Sequence, residues 1–204
     1  MAGDRIEFLE IRRRFGRLSV LSGVSGRVEA GGALLVRGKN GSGKSTLLRC
    51  LAGLLAPDRG EILFSEAGRE LDAGERRRRV GYVAPDLALY EELTVAENLE
   101  FFARLRGVGR ERAVELAERL WLPPGRNAGA LSSGMRQRLR WAWALLARPR
   151  LMLLDEPFQN LDVEGETALR GVLGEHLAGG GLAVVASPTP LDLPGGADEL
   201  VLDR

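Results

Sequence analysis

Two stretches of this chain have residue types and spacing suited to phosphate chemistry. The first is RGKNGSGKST, Arg37 to Thr46, which sets Gly38, Gly43, Lys44 and Ser45 in the pattern G-x-x-x-x-G-K-[ST]. Glycines at 38, 41 and 43 let the backbone turn tightly and aim its N–H groups inward. Lys44 can reach the β- and γ-phosphates of a nucleoside triphosphate, and the Ser45 hydroxyl can bind Mg²⁺. The second is LMLLDEP, Leu151 to Pro157, in which four apolar residues precede Asp155 and Glu156. Asp155 suits holding Mg²⁺ through water, and Glu156 suits polarising an attacking water. Read alone, that run also fits a strand ending in a solvated acidic turn. The phosphate loop is what ties it to triphosphate hydrolysis.

These residues need particular elements to place them. GALLV, before the loop, reads as a short buried strand, and STLLRCLAGLL, after it, as a helix with an apolar face. The positive end of that helix points at the loop. Leu151 to Leu154 reads as a parallel strand, and ligands gather at the carboxyl ends of such strands, so both acids should face the phosphates. Residues 80–84 and 182–187 supply further core strands, with a helix over 164–178, a GGG stop at 179–181 and a closing strand ELVLD. Strands alternating with helices predict a parallel α/β core. Residues 1–30 and 60–72 read as short alternating strands, an antiparallel sheet edge on the nucleotide side of the chain. From 86 to about 140 the pattern is helical: ENLEFFARLRG, then RERAVELAERLWL with Val114, Leu116, Ala117 and Leu120 on one apolar stripe. Pro123-Pro124-Gly125 ends that stretch as a loop. In ALSSGMRQRLRWAWALLARPR, Ser132 and Ser133 can cap a helix beginning near Gly134, while Trp141, Ala144 and Leu145 turn inward. Such a capped start is an ordinary N-cap or an anion site.

Composition narrows the partners. The net charge is +1, so nothing draws the whole chain to nucleic acid, and the Trp and Arg of RLRWAWALLAR read as helix core. No apolar run approaches the ~20 residues that cross a bilayer. The N-terminus shows no apolar stretch of a secretory signal. Cys50, the lone cysteine, lies among leucines and reads as a small buried residue; the lone His176 reads as a structural or surface residue of a helix. Only Lys39 and Lys44 are lysines, and both fall in the phosphate loop. The arginine runs at 12–14 and 76–79 read as a solvated face, with a contact to acidic lipid or to a partner as the second reading.

GKNGSGKST, LSSGM and LMLLDEP, in this order, resemble the ATP-binding subunits of ABC transporters over essentially the whole chain. The resemblance implies a single P-loop NTPase domain: a RecA-like parallel core with an N-terminal antiparallel β subdomain (1–85 and 141–204) and a helical subdomain (86–140). It implies ATP at Gly38, Lys39, Asn40, Gly41, Ser42, Gly43, Lys44, Ser45 and Thr46, with Phe15 stacked on adenine. Mg²⁺ would sit at Ser45 and Asp155, and Lys44 and Glu156 would serve catalysis. LSSGM stands where the family has LSGGQ, so Ser132, Ser133 and Gly134 would contact the ATP of a second copy. Asp162 would lie in the D-loop, Gln159-Asn160-Leu161-Asp162. An ATP-bound head-to-tail homodimer follows. It would sit at the cytoplasmic side of the cell membrane, docked by its helical subdomain on separate transmembrane subunits.

Two positions depart from the family pattern. Its usual Gln, after the strand VGYVA, is Pro85 here, followed by Asp86. Its usual His, after the last core strand, is Pro188, in VVASPTP. Proline brings neither a side-chain ligand nor an N–H. Lost donors near a developing charge typically cost ~10²–10³ in rate. ATP binding with slow hydrolysis is therefore expected. A chain that stops soon after DELVLDR, LSSGMRQRL, and the altered Gln position together look most like the heme-exporter subunit of cytochrome c maturation. A multidrug or other small-molecule exporter, and a nucleotide switch or assembly factor that transports nothing, stay open.

Overall fold

The computed structural model describes residues 3–203; Met1, Ala2 and Arg204, the outer bounds of the expected domain, lie outside them. Two sheets organise the chain. β1 (Arg5–Phe15), β2 (Leu18–Glu29), β4 (Arg59–Glu66) and β5 (Arg69–Glu70) form an antiparallel sheet in the order β2-β1-β4-β5. β3 (Ala33–Arg37), β6 (Val80–Val83), β7 (Leu151–Asp155), β8 (Leu182–Ser187) and β9 (Asp198–Val201) form a parallel sheet in the order β6-β7-β8-β3-β9. The N-terminal strands thus form the antiparallel sheet that the resemblance implied, separate from the parallel core. Their antiparallel hairpin needs only Gly16 and Arg17 between Phe15 and Leu18.

The parallel sheet is a wall between two cores, and strand alternation divides them. Met152, Leu154, Ala183 and Val185 face one core; Leu151, Leu153, Leu182, Val184 and Ala186 face the other. α1 (Lys44–Leu51) buries Leu47, Leu48 and Leu51 on the second face, and α5 (Ser133–Leu145) and α6 (Val163–Ala178) pack on the first. Cys50 is fully buried, and burial pushes its thiol up to about 11, so it is an inert core residue as expected.

α3 (Val95–Leu105) and α4 (Arg110–Arg119) make up most of the helical region. Thr94 and Glu97 close a capping box that starts α3. Asn98, fully buried, donates through Nδ2 to the carbonyls of Tyr90, Leu93 and Thr94 and accepts from Tyr90 N, fixing the approach to the helix. The stripe of α4 is Ala113, Leu116, Ala117 and Leu120, and Val114 stands exposed. The expected stripe was one residue off: Val114 lies about 100° around the helix from Ala113. α5 runs unbroken through residue 140, so core and helical region share one helix.

The arginine run 76–79 belongs to a helix that the sequence reading missed, α2 (Ala73–Arg79). Asp72 caps it and Glu75 completes a capping box. His176 has the structural role expected. Its Nε2 lies 3.0 Å from Leu182 O, so that nitrogen carries the proton. A side chain on Gly181 would run into the imidazole.

Candidate active site

β3 delivers the chain into the phosphate loop, and Gly43 turns it into α1. Gly43 has φ 104, and a Cβ there would stand 2.9 Å from Val20 O, so only glycine allows this turn. Lys44 is buried, and its ammonium donates to Gly38 O (2.7 Å) and Lys39 O (3.0 Å), bracing the loop. The buried Ser42 hydroxyl has no hydrogen-bond partner among the described residues. In front of the loop lies a cavity of about 400 Å³ lined by Asn40, Gly41, Gly43, Lys44, Ser45, Thr46 and Glu156, with Leu18 and Val20 from β2. It joins the phosphate loop to Glu156. Leu18 and Val20 were not legible as site residues, because only the packing of the second sheet brings them there.

Asp155 ends β7 and is buried. Burial raises its carboxyl above the usual range, and the Ser45 hydroxyl, then Lys44 and Arg49, pull it back. A buried carboxylate beside a hydroxyl offers the oxygen donors that a hard divalent cation takes, so Asp155 and Ser45 fit Mg²⁺. Glu156 takes φ 47, a left-handed conformation, immediately after the strand. This turn separates the acids: Asp155 stays at the sheet end while Glu156 lines the cavity. The strained turn is tied down on both sides. Glu156 N donates to Ala186 O (3.0 Å), Gln137 Nε2 to Pro157 O (2.9 Å), and Trp141 Nε1 to Pro157 O (3.1 Å). Gln137 and Trp141 were not foreseen as supports; Trp141 was read only as core.

Ser132, Ser133, Gly134 and Asp162 do not line this cavity. Ser132 caps α5 by accepting from Met135 N, and Ser132 and Ser133 are exposed. A Cβ on Gly134 would stand 2.9 Å from Asn160 O, so the start of α5 rests directly on the D-loop backbone. Asp162 caps α6, accepting from Gly165 N (2.8 Å). Phe15 sits half-exposed at the hairpin tip opposite Leu18, with the Arg13 guanidinium 5.1 Å above its ring. It lies beside the cavity and not in its lining.

Pro85 and Pro188 are both exposed, the first lying two residues beyond β6 and the second one residue beyond β8. Ser187, the last residue of β8, is buried, but its hydroxyl donates to Thr189 O (2.8 Å) and accepts from Thr189 N. It closes its own turn. After Pro85, the Asp86 carboxylate pairs with Arg49, and Arg140 Nε donates to Leu87 O (3.0 Å). Arg49 lies one helical turn beyond Ser45, on the same face of α1, a spacing that the sequence already carried.

Comparison with known proteins decides what this arrangement is. The family model "ABC transporter" matches residues 21–159. The chain belongs to the ABC transporter family. It is an ATP-binding subunit and an ATPase of that family. It is 39% identical over 200 residues to a cytochrome c biogenesis ATP-binding export protein CcmA of Paramagnetospirillum magneticum, covering 94% of this chain and 90% of that one. It is 40% identical over 176 residues to a sulfate/thiosulfate import ATP-binding protein CysA of Bradyrhizobium diazoefficiens; that match covers 81% of this chain but 51% of the relative. Among solved structures it is similar to the dimeric, ADP- and Pi-bound post-hydrolysis form of the ATP-binding cassette MJ0796. That similarity has a TM-score of 0.78 at 26% identity, over 90% of this chain and 88% of the other. No helix among the described residues is long and apolar enough to cross a membrane.

Proposed function

We propose that the chain is the ATP-binding subunit of an exporter serving cytochrome c maturation, with heme as the cargo of separate membrane subunits. The observation that carries this reading is the match to the CcmA relative along nearly the full length of both chains. Import is the second reading, favoured by the sulfate/thiosulfate relative, of which the chain spans about half.

In the proposed cycle the triphosphate enters the cavity before the loop and is cradled by the N–H groups of residues 38–46, with Phe15 against the adenine. Lys44 neutralises β/γ-phosphate charge. Ser45 and Asp155 would hold Mg²⁺, which when bound would supply charge neutralisation at the phosphates. Glu156 orients the attacking water and accepts its proton, leaving ADP and phosphate. The exposed Ser132–Gly134 segment at the start of α5 serves the γ-phosphate of a second copy, and Asp162 keeps the D-loop beside it. ATP thus closes a homodimer and hydrolysis loosens it. The dimer works at the cytoplasmic side of the membrane. With Pro85 and Pro188 in place of donors, hydrolysis by the chain alone is slow.

The test is Glu156→Gln with MgATP. Gel filtration should show a dimer that reverts to monomer when nucleotide is removed. Monomer alone throughout would sink the two-copy site. The cargo is tested separately: depleting the protein should remove covalently bound heme from c-type cytochromes on heme-stained gels. Unchanged staining rejects heme export.

A further inference from the structure

The arginine run 12–14 has no part in the nucleotide site, and β1 divides it between two faces. Arg13, the middle member, lies on the side of Phe15 and donates to Ala56 O (3.0 Å) and to Asp58 Oδ1 (2.8 Å). Arg12 and Arg14 take the other side. β2 meets them through a bulge. Arg13 pairs with Leu21 but Arg14 with Ser19, so Val20 is an extra residue. Val20 lines the nucleotide cavity, and the bulge leaves Ser19 and Ser22 together on the far face, their hydroxyls 3.1 Å apart. On β4, Arg59 stands directly opposite Arg12.

Arg12, Arg14, Arg59, Ser19, Ser22 and Asp58 line a cavity of about 300 Å³, a size at the lower end of small-molecule sites. Like charges directly opposite across an antiparallel pair destabilise a sheet. The neighbouring acids do not remove that cost. Asp58 is engaged on both oxygens, by the Arg13 guanidinium on Oδ1 and by the Arg14 backbone N–H on Oδ2 (2.7 Å). Glu10 pairs with Arg12 alone (3.0 Å). Gly23 leaves room for that pair, since a Cβ there would stand 2.8 Å from the Glu10 carboxylate. Arg14 and Arg59 are exposed and close no ion pair among the described residues. The cavity therefore gathers two guanidinium groups without a counter-charge, a third beside them, and a pair of hydroxyls.

We propose that this cavity binds a phosphate monoester, with the guanidinium groups of Arg12, Arg14 and Arg59 on its oxygens and the Ser19 and Ser22 hydroxyls beside them. Such a group carries about −1.5 to −2 charges near neutral pH, which matches the charge left by Arg14 and Arg59. Planar guanidinium forks bind its oxygens two at a time. A phosphate held there also offsets the repulsion between Arg12 and Arg59. The site is separate from the nucleotide cavity, because Ser19 and Val20 place the two on opposite faces of β2. It does not rest on the transporter reading. A soluble phosphate ester and a lipid headgroup present the same chemistry, and the experiment separates them.

The probes are glycerol 3-phosphate and phosphatidylcholine vesicles with and without phosphatidic acid, which carries the same group on lipid. A non-hydrolysable MgATP analogue fills the phosphate loop throughout, so neither probe reports on that loop. By calorimetry the intact protein should bind glycerol 3-phosphate. Arg14→Gln/Arg59→Gln, which breaks no ion pair, should bind it at least tenfold more weakly while holding the ATP analogue as wild type does. Pelleting with phosphatidic acid vesicles that the double variant loses, without binding of the free ester, supports the site and assigns it to a headgroup. A thermal melt without either probe gives a second readout. Arg59→Gln alone should melt about 1–4 °C above wild type, because the like-charge pair with Arg12 is gone. Failure of both probes overturns the proposal, as does binding that the double variant keeps, or a lower Tm in Arg59→Gln. So does capture of polyglutamate that the double variant loses while neither phosphate probe binds, since that assigns the arginines to an acidic protein.

Discussion

Replacing Pro188 with histidine should speed ATP hydrolysis. In the parallel sheet β8 lies between β3, which feeds the phosphate loop, and β7, which carries the acid pair. Ser187 is in register with Arg37, and Ala186 with Asp155. Residue 188, the first beyond the strand, therefore leaves the sheet between the two halves of the site. The nearest strand-end hydroxyl, that of Ser187, donates to Thr189 O, and proline itself has no side-chain donor. One donor aimed at charge that develops in the transition state is worth about 10²-fold at the lower end, or about 2.7 kcal/mol. Removing proline's constraint on the unfolded chain costs about 0.4–1 kcal/mol. For a chain of this size that is a few degrees of Tm at most. Pro188 is exposed, so an imidazole fits without displacing core. Steady-state phosphate release at saturating MgATP should rise at least tenfold in Pro188→His, with KM for ATP little changed. Pro188→Ala should stay at the wild-type rate, which separates a gained donor from a lost ring. A Pro188→His protein that binds ATP normally but hydrolyses no faster refutes the reasoning, as does an equal gain in Pro188→Ala.

Two further outcomes follow from buried polar groups away from the phosphates. Asn98→Ala strips the loop before α3 of three donated bonds and one accepted bond, which should cost about 2–4 kcal/mol and lower Tm by about 4–16 °C in a thermal melt. Nucleotide affinity should hold; a Tm shift below about 2 °C would show that the loop does not depend on Asn98. Burial lowers the pKa of His176 below its ordinary 6.5, so the unfolded chain takes up a proton that the folded state resists. Stability should therefore fall as pH drops below about 6.5, by at most about 1.4 kcal/mol per pH unit from this group. His176→Gln, which keeps a donor for Leu182 O, should flatten that slope in urea titrations; identical slopes would exclude His176 as its source.

The phosphate loop was legible because its mechanism is local. Glycines at fixed offsets, a lysine, a hydroxyl and a following helix act within ten consecutive residues. The acid pair was equally plain, since an apolar strand must end somewhere and Asp155-Glu156 marks where. The strand–helix alternation gave the parallel core for the same reason. Less visible were features that depend on small angular choices. The stripe of α4 turned on one residue, Val114 against Ala113. α2 hid behind four arginines, although the Asp72–Glu75 capping box was there to be read. Tertiary structure alone decided which distant residues meet. It laid Leu18 and Val20 of the antiparallel sheet over the cavity before the loop, hung the Glu156 turn from Gln137 and Trp141, and set the Arg106 guanidinium against the Arg77 carbonyl. Each of these joins residues separated by many positions, and local propensity does not specify such pairs; burial of the two cores does. The motif residues stand in order along the chain, and the walls and supports of the cavity came from packing.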